Sequence, residues 1–168
     1  TCTVTIAYAP TDAGLATDTV VLVYSDGLAN KTATRGLAGT GATPAMIVLS
    51  DGGTYDYGPV TIGLTAAQTF AVINTGDTAA TLGTVTTGGL LLDPPFANDT
   101  WSCGSGSLLA ADGGRCDLRV VFTPTDAGVA NDVIALGYND GVTNQTAPYA
   151  ITGTGKTPAQ LTVSDAGV

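Results

Sequence analysis

The sequence predicts an all-β chain of tandem antiparallel β-sandwiches, on three observations. Apolar residues alternate with period two, turn chemistry recurs every 8–12 residues, and a block of about fifty residues repeats in fixed register. Composition agrees. The 168 residues include 23 Gly, and all fourteen acids are Asp, with no Glu. Glu, Lys and Arg usually fill exposed helix faces, and Gly and Asp fill them poorly, so helices are disfavoured.

The repeat divides the chain. CTVTIAYAPTDAGLATDTVVLVYSDG, from Cys2, returns as CDLRVVFTPTDAGVANDVIALGYNDG, from Cys116, an offset of 116 − 2 = 114 residues. Residues 2–54 and 116–168 match without a gap at 24 of 53 positions, among them PTDAG, GTG and TPA. A period of 114 residues is that of a small domain rather than of a solenoid. Residues 1–41 therefore read as the C-terminal half of one copy, 42–155 as a complete copy, and 156–168 as the first strand of the next. Cys103 and Cys116 fall in the complete copy, thirteen residues apart across a Gly-rich loop. They are expected to form a disulfide, which places the protein outside the cell or on its surface. A disulfide closing so short a loop contributes about 3 kcal/mol in the chain-entropy picture. Cys2 matches Cys116, and its expected partner lies upstream of Thr1, so it is expected to be unpaired through truncation.

The elements follow from alternation. Val4, Ile6 and Tyr8 form one face after Cys2, as Leu118, Val120 and Phe122 do after Cys116. Val20, Leu22 and Tyr24 repeat as Ile134, Leu136 and Tyr138. AMIVL (45–49), FAVINTG (70–76) and TLGTV (81–85) read as further strands, divided by SDG, NDG, NTGD, DPP and ADGG turns. Seven to eight strands in about 110 residues favour an immunoglobulin-type sandwich over a barrel. Phe70, Phe96, Trp101, Phe122, Tyr138 and Tyr149 are its expected large core members.

The complete copy runs through YDYG (55–58), TFAVINTG (69–76), PPF (94–96), the two cysteines, VVFTPTDAG (120–128), YNDG (138–141) and ITGTG (151–155). In this order the motifs resemble the bacterial choice-of-anchor D repeats, related to the ASPM/SPD-2/Hydin immunoglobulin-like domains. The resemblance implies immunoglobulin-like sandwiches in long secreted or surface-anchored bacterial proteins, and it carries no catalytic residues.

No His is present, which excludes Ser-His-Asp, Cys-His and His-metal arrangements within these residues. No catalytic residue, cofactor or metal site is expected, and the chain is expected not to be an enzyme. A net charge of −9 argues against nucleic acid and anionic membranes as partners. Asp26, Asp51, Asp77, Asp112 and Asp140 lie in loops that could supply calcium ligands. Most precede Gly and none shows D-x-D-x-D spacing, so turn chemistry is the expected role. Asp12 and Asp126, each a lone acid after a strand-ending Pro, also read as turn residues. A Lys cross-link is disfavoured, because Lys31 becomes Gln145 and Lys156 corresponds to Ala42. Asn30, Asn98 and Asn144 fit the N-glycan acceptor pattern, which so Thr-rich a chain also produces by composition. Trp101 reads as packing near the disulfide rather than as a sugar platform.

The junctions GTGATPA (39–45) and GTGKTPA (153–159) leave almost no free linker, and their Pro stiffens them. The expected role is structural: a repeat of a stalk, appendage or filament, with neighbouring copies of the repeat as partners, in the same chain or in adjacent subunits. The alternative is an adhesin or carbohydrate-binding module with a glycan or cell-surface ligand. Residues 1–41 carry an apolar face without the strands that should cover it. The missing front half of that domain is expected to cover it, from the same polypeptide or from a neighbouring subunit.

Overall fold

A computed structural model describes residues 2–83 and 94–164. The chain divides into two compact units, Thr1–Thr43 and Pro44–Val168.

The first unit is one antiparallel hairpin of β1 (Gly14–Ser25) and β2 (Asn30–Gly41), paired from Gly14↔Gly41 to Ser25↔Asn30. The second unit contains, among the described residues, β3 (Ile47–Leu49), β4 (Thr54–Thr61), β5 (Ala66–Asn74), β6 (Ala80–Leu82), β7 (Phe96–Trp101), β8 (Leu108–Leu109), β9 (Arg115–Phe122), β10 (Gly128–Asn139) and β11 (Asn144–Lys156). They form two sheets, ordered β3-β5-β9-β7 and β4-β11-β10-β6-β8. With β4 and β8 set aside, the order is first-second-fifth-fourth against seventh-sixth-third, the two-sheet order of a constant-type immunoglobulin sandwich.

Three details differ from the sequence reading. The sandwich is not wholly antiparallel, because β4 runs parallel to β11. After β3 the chain crosses from the edge of one sheet to the edge of the other, where β4 pairs with β11. Residues 2–8, whose pattern matches β9, are not a strand. β9 is held on both edges, by β5 and β7, and the first unit contains no counterpart of either. Residues 157–164, expected to open a further copy, are likewise without strand. Of the strand expected over 81–85, residues 84 and 85 lie outside the described residues.

Between the sheets the core is continuous. Phe70, Val72, Leu118, Val120, Phe122 and Ile134 are fully buried. Aromatic rings link the layers: Tyr55 meets Phe70 edge-on at 5.4 Å, Phe70 meets Tyr149 at 5.3 Å, and Tyr57 meets Phe122 at 5.7 Å, while Phe96 stacks on Phe122 within one sheet at 4.8 Å. Such pairs contribute about 1 kcal/mol each beyond their buried area. Tyr57 on β4 donates its hydroxyl to the Val120 carbonyl of the opposite sheet at 3.0 Å. That carbonyl lies beside the register shift in the β7–β9 ladder, between Asn98 and Thr100. Burial raises the Tyr57 phenol far above its usual range, so it stays a donor.

Tyr57→Phe should cost about 1 kcal/mol, because it removes one bond and strands a carbonyl, and Phe122→Ala about 4 kcal/mol, because it empties the ring cluster. Urea unfolding of the second unit, followed by Trp101 fluorescence, checks both values and their order.

Candidate functional site

Two of the motifs shared by the copies, PTDAG and GTG, have one physical cause, close approach of main chain and ring at the GTG segments. A Cβ at Gly153 would meet the Phe122 ring at 2.6 Å, and one at Gly39 would meet the Tyr8 ring at 2.8 Å. A Cβ at Gly155 would overlap the Asp126 carbonyl, and one at Gly41 the Asp12 carbonyl. PTDAG and GTG are therefore two sides of one contact, formed in both units. Only glycine permits it.

The acids act locally. Asp26 Oδ1 accepts the Leu28 and Ala29 amides, and Asp140 Oδ1 accepts those of Val142 and Thr143. Gln145 Nε2 adds a bond to Asp140 Oδ2, and Ala45 N donates to the Asp140 carbonyl, holding the chain entry to the β10–β11 turn. The Thr143 and Val142 amides, then Gln145, hold the Asp140 carboxyl below its usual range, outweighing the opposing effect of burial. Asp51 sits at φ 75° and accepts from Gln68 Nε2 at 2.9 Å, and Asp112 turns the chain at φ 56°. Asp12 and Asp126 accept from the neighbouring hydroxyls of Thr11 and Thr125. Among the described residues no three Asp or Cys side chains converge.

Cys103, fully buried, is joined to Cys116 on β9 with Cα atoms 5.5 Å apart, and Cys2 is free and exposed. Trp101 ends β7 half-buried against the core, opposite Leu118, with its Nε1 unpaired among the described residues. Lys31 pairs with Asp26 at 3.6 Å. Asn30 and Asn144 open β2 and β11, and Asn98 lies exposed on β7.

The sequence reading missed Asn74. Completely buried at the end of β5, it accepts the Met46 and Gly76 amides through Oδ1 and donates through Nδ2 to the carbonyls of Thr78, Leu109 and Ala110. It ties the entries of β3 and β6 to the end of β8. The only sequence signal is the NTG tripeptide, which reads equally well as an exposed turn.

The first unit exposes an apolar face. Val4, Ile6, Tyr8 and Leu22 are 66, 51, 51 and 52% exposed, whereas Leu118, Val120, Phe122 and Leu136, their counterparts at the 114-residue offset, are 0, 0, 0 and 1% exposed. A groove of about 520 Å³ lies along this face, lined by Ile6, Tyr8, Ala16, Asp18, Leu37 and Gly39 among others.

No family model matches this chain, and no curated protein matches it. Solved structures do. The VesB protease of Vibrio cholerae is similar over 64% of this chain and 31% of its own, at 16% identity and a TM-score of 0.53. PapD-like domain 7 of human CEP192 aligns over 70% of this chain and 89% of its own, at 13% identity and a TM-score of 0.49. A Porphyromonas gingivalis protein of unknown function aligns over 86% and 68%, at 16% and 0.46. The chain thus spans under a third of the VesB protease, and what the two share is a fold. That likeness corrects the expectation that the chain is not an enzyme: this fold occurs within a protease polypeptide. The absence of His speaks only for these 168 residues, whereas the larger part of such a polypeptide lies outside the shared fold.

Asn74→Ala should cost about 3 kcal/mol, because it leaves buried amides and carbonyls without partners, and thermal unfolding measures it. Asp140 has a lowered folded-state pKa, so its stabilisation is complete above the usual carboxylate range and is lost as pH falls below that range through the lowered pKa. Asp140→Asn should therefore lower the melting temperature at neutral pH, with the gap to the parent narrowing toward pH 3. A gap that stays constant across that titration would remove the carboxylate from the account.

Proposed function

We propose that this chain is a structural repeat of a secreted or surface-anchored bacterial protein. In this reading immunoglobulin-like sandwiches of the choice-of-anchor D and ASPM/SPD-2/Hydin kind follow one another at 114-residue intervals and give the polypeptide length and cohesion. The observation that carries it is the repetition of the GTG–PTDAG contact at Gly39, Gly41, Gly153 and Gly155. Selection for recognition diversifies loops between copies, whereas here the residues that repeat are those that brace the hairpin. The Cys103–Cys116 disulfide supports an oxidising compartment.

A second reading, an accessory module joined to an enzyme, is favoured by the likeness to part of the VesB protease. The two readings separate by experiment. Chains built from one, two and three complete copies should show a maximum dimension, from small-angle X-ray scattering, that grows by a constant increment per copy. Dimensions that stop growing would overturn the spacing role. A native polypeptide that carries this segment and reacts with a fluorophosphonate probe would favour the enzyme-linked reading.

A further inference from the structure

Two strand edges of the complete copy face one slot. β3 ends its sheet, so β5 takes one of its edges and, among the described residues, no strand takes the other. β4 pairs with β11 only from Ala150 onward, which leaves Thr146–Tyr149 without a neighbour on that side. Between these edges lies a slot of about 360 Å³, lined by Ile47, Leu49, Gly53, Ala147, Pro148 and Tyr149 among others. All its walls belong to the second unit.

The main chain of β3 gives the slot its chemistry. The Met46 carbonyl accepts from Thr75 N, and Ser50 N donates to the Ala71 carbonyl, so Met46, Val48 and Ser50 turn their main chain toward β5. Ile47 and Leu49 therefore turn theirs toward the open edge, although both residues are buried. They present N–H and C=O groups about 7 Å apart along the strand, the repeat of a strand ladder. Buried main-chain groups of this kind call for partners.

Tyr149 is a second, independent observation. It lines the same slot at 6% exposure, and its buried hydroxyl bonds to no group among the described residues. Asp51 lies within electrostatic reach of it, with Gln68 on its Oδ2. At the 114-residue offset Tyr149 becomes Arg35, so the hydroxyl is no part of the bracing that the copies share.

We propose that this slot binds an extended peptide as an added strand on β3, with apolar side chains turned into the slot and a Lys or Arg beside Asp51. Alternate main-chain donors and acceptors fit another main chain, and side chains in the slot supply selectivity. The Tyr149 hydroxyl donates to a peptide carbonyl. The Asp51 carboxylate, in a chain of net charge −9, selects a cation. Because β3 runs toward Asp51, an antiparallel peptide puts its N-terminal residue there. This partner lies beyond the structural role proposed above and does not rest on it.

The test titrates acetyl-Lys-Val-Thr-Val-Thr-amide, to millimolar concentration, into the nitrogen-labelled full chain. Amide resonances should shift at Ile47, Leu49 and Tyr149, and exchange of the Ile47 and Leu49 amides should slow. The same peptide N-methylated at both Val residues lacks the ladder donors and should not bind. Tyr149→Phe should weaken binding about fivefold, the loss of one hydrogen bond, without lowering the melting temperature. Asp51→Asn, which keeps the left-handed turn, should weaken this peptide but not its norleucine analogue. The proposal is overturned if no slot amide shifts, if the N-methylated peptide binds equally, or if Tyr149→Phe binds as tightly as the parent. Shifts at the same amides that grow with protein concentration alone would assign the edge to a second copy of this chain instead. None of these outcomes touches the scattering increment per copy, so the spacing role stands or falls separately.

Discussion

Neither half of this repeat can make a core by itself, because each sheet interleaves strands from both. β9 sits between β5 and β7, and the β10–β11 hairpin sits between β4 and β6. Every long strand of the back half thus takes at least one edge from the front half. Alternating apolar sequence creates a face that favours burial, but strand geometry needs main-chain partners on the flanks. The two units divide along this line. The hairpin forms in both because β1 and β2 are partners for each other. The segment with the pattern of β9 is a strand only where β5 and β7 exist.

Polar groups and glycines decide whether the two halves lock. Asn74 reaches three loops from the end of β5, with two N–H groups shared among three carbonyls, and in a fully buried site none of these groups can turn to water instead. Gly76, two residues on, leaves space that the Pro44 carbonyl occupies, so the NTG turn is also the socket for the chain entry. At the opposite end of the sandwich, Gly153 and Gly155 let Phe122 and the Asp126 carbonyl seat directly on β11. Apolar burial supplies most of the driving force, and these contacts choose one arrangement of the sheets over near alternatives.

The charged groups contribute locally. Lys31–Asp26, Arg115–Asp117 and the close Arg119–Asp99 pair all lie at exposed positions, where ion pairs add little to stability. The carboxylates that matter most, Asp26 and Asp140, fix hairpin turns by accepting amides. Arg35 is the exception in kind, since it occupies an inward register position that its counterpart fills with an aromatic ring.

Much of the back half was legible by itself. β9 and β10 lie where period-two alternation puts them, and the hairpin turns lie at SDG and NDG, because alternation and turn propensity are local properties. β4 and β7 were harder to see. Tyr55 and Tyr57 alternate but run into Gly58-Pro59, and β7 is polar after Phe96, so neither carries a long apolar stripe. The parallel β4–β11 pair, the burial of Asn74 and the absence of a strand over residues 2–8 were beyond local reading. Each depends on which distant strand edge is vacant, and that is settled only when the sheets assemble. Sequence by itself determined the β class, the repeat and its register, and the faces that β9 and β10 would bury. Tertiary structure alone decided which faces found cover, because main-chain partners come from residues far away in the chain.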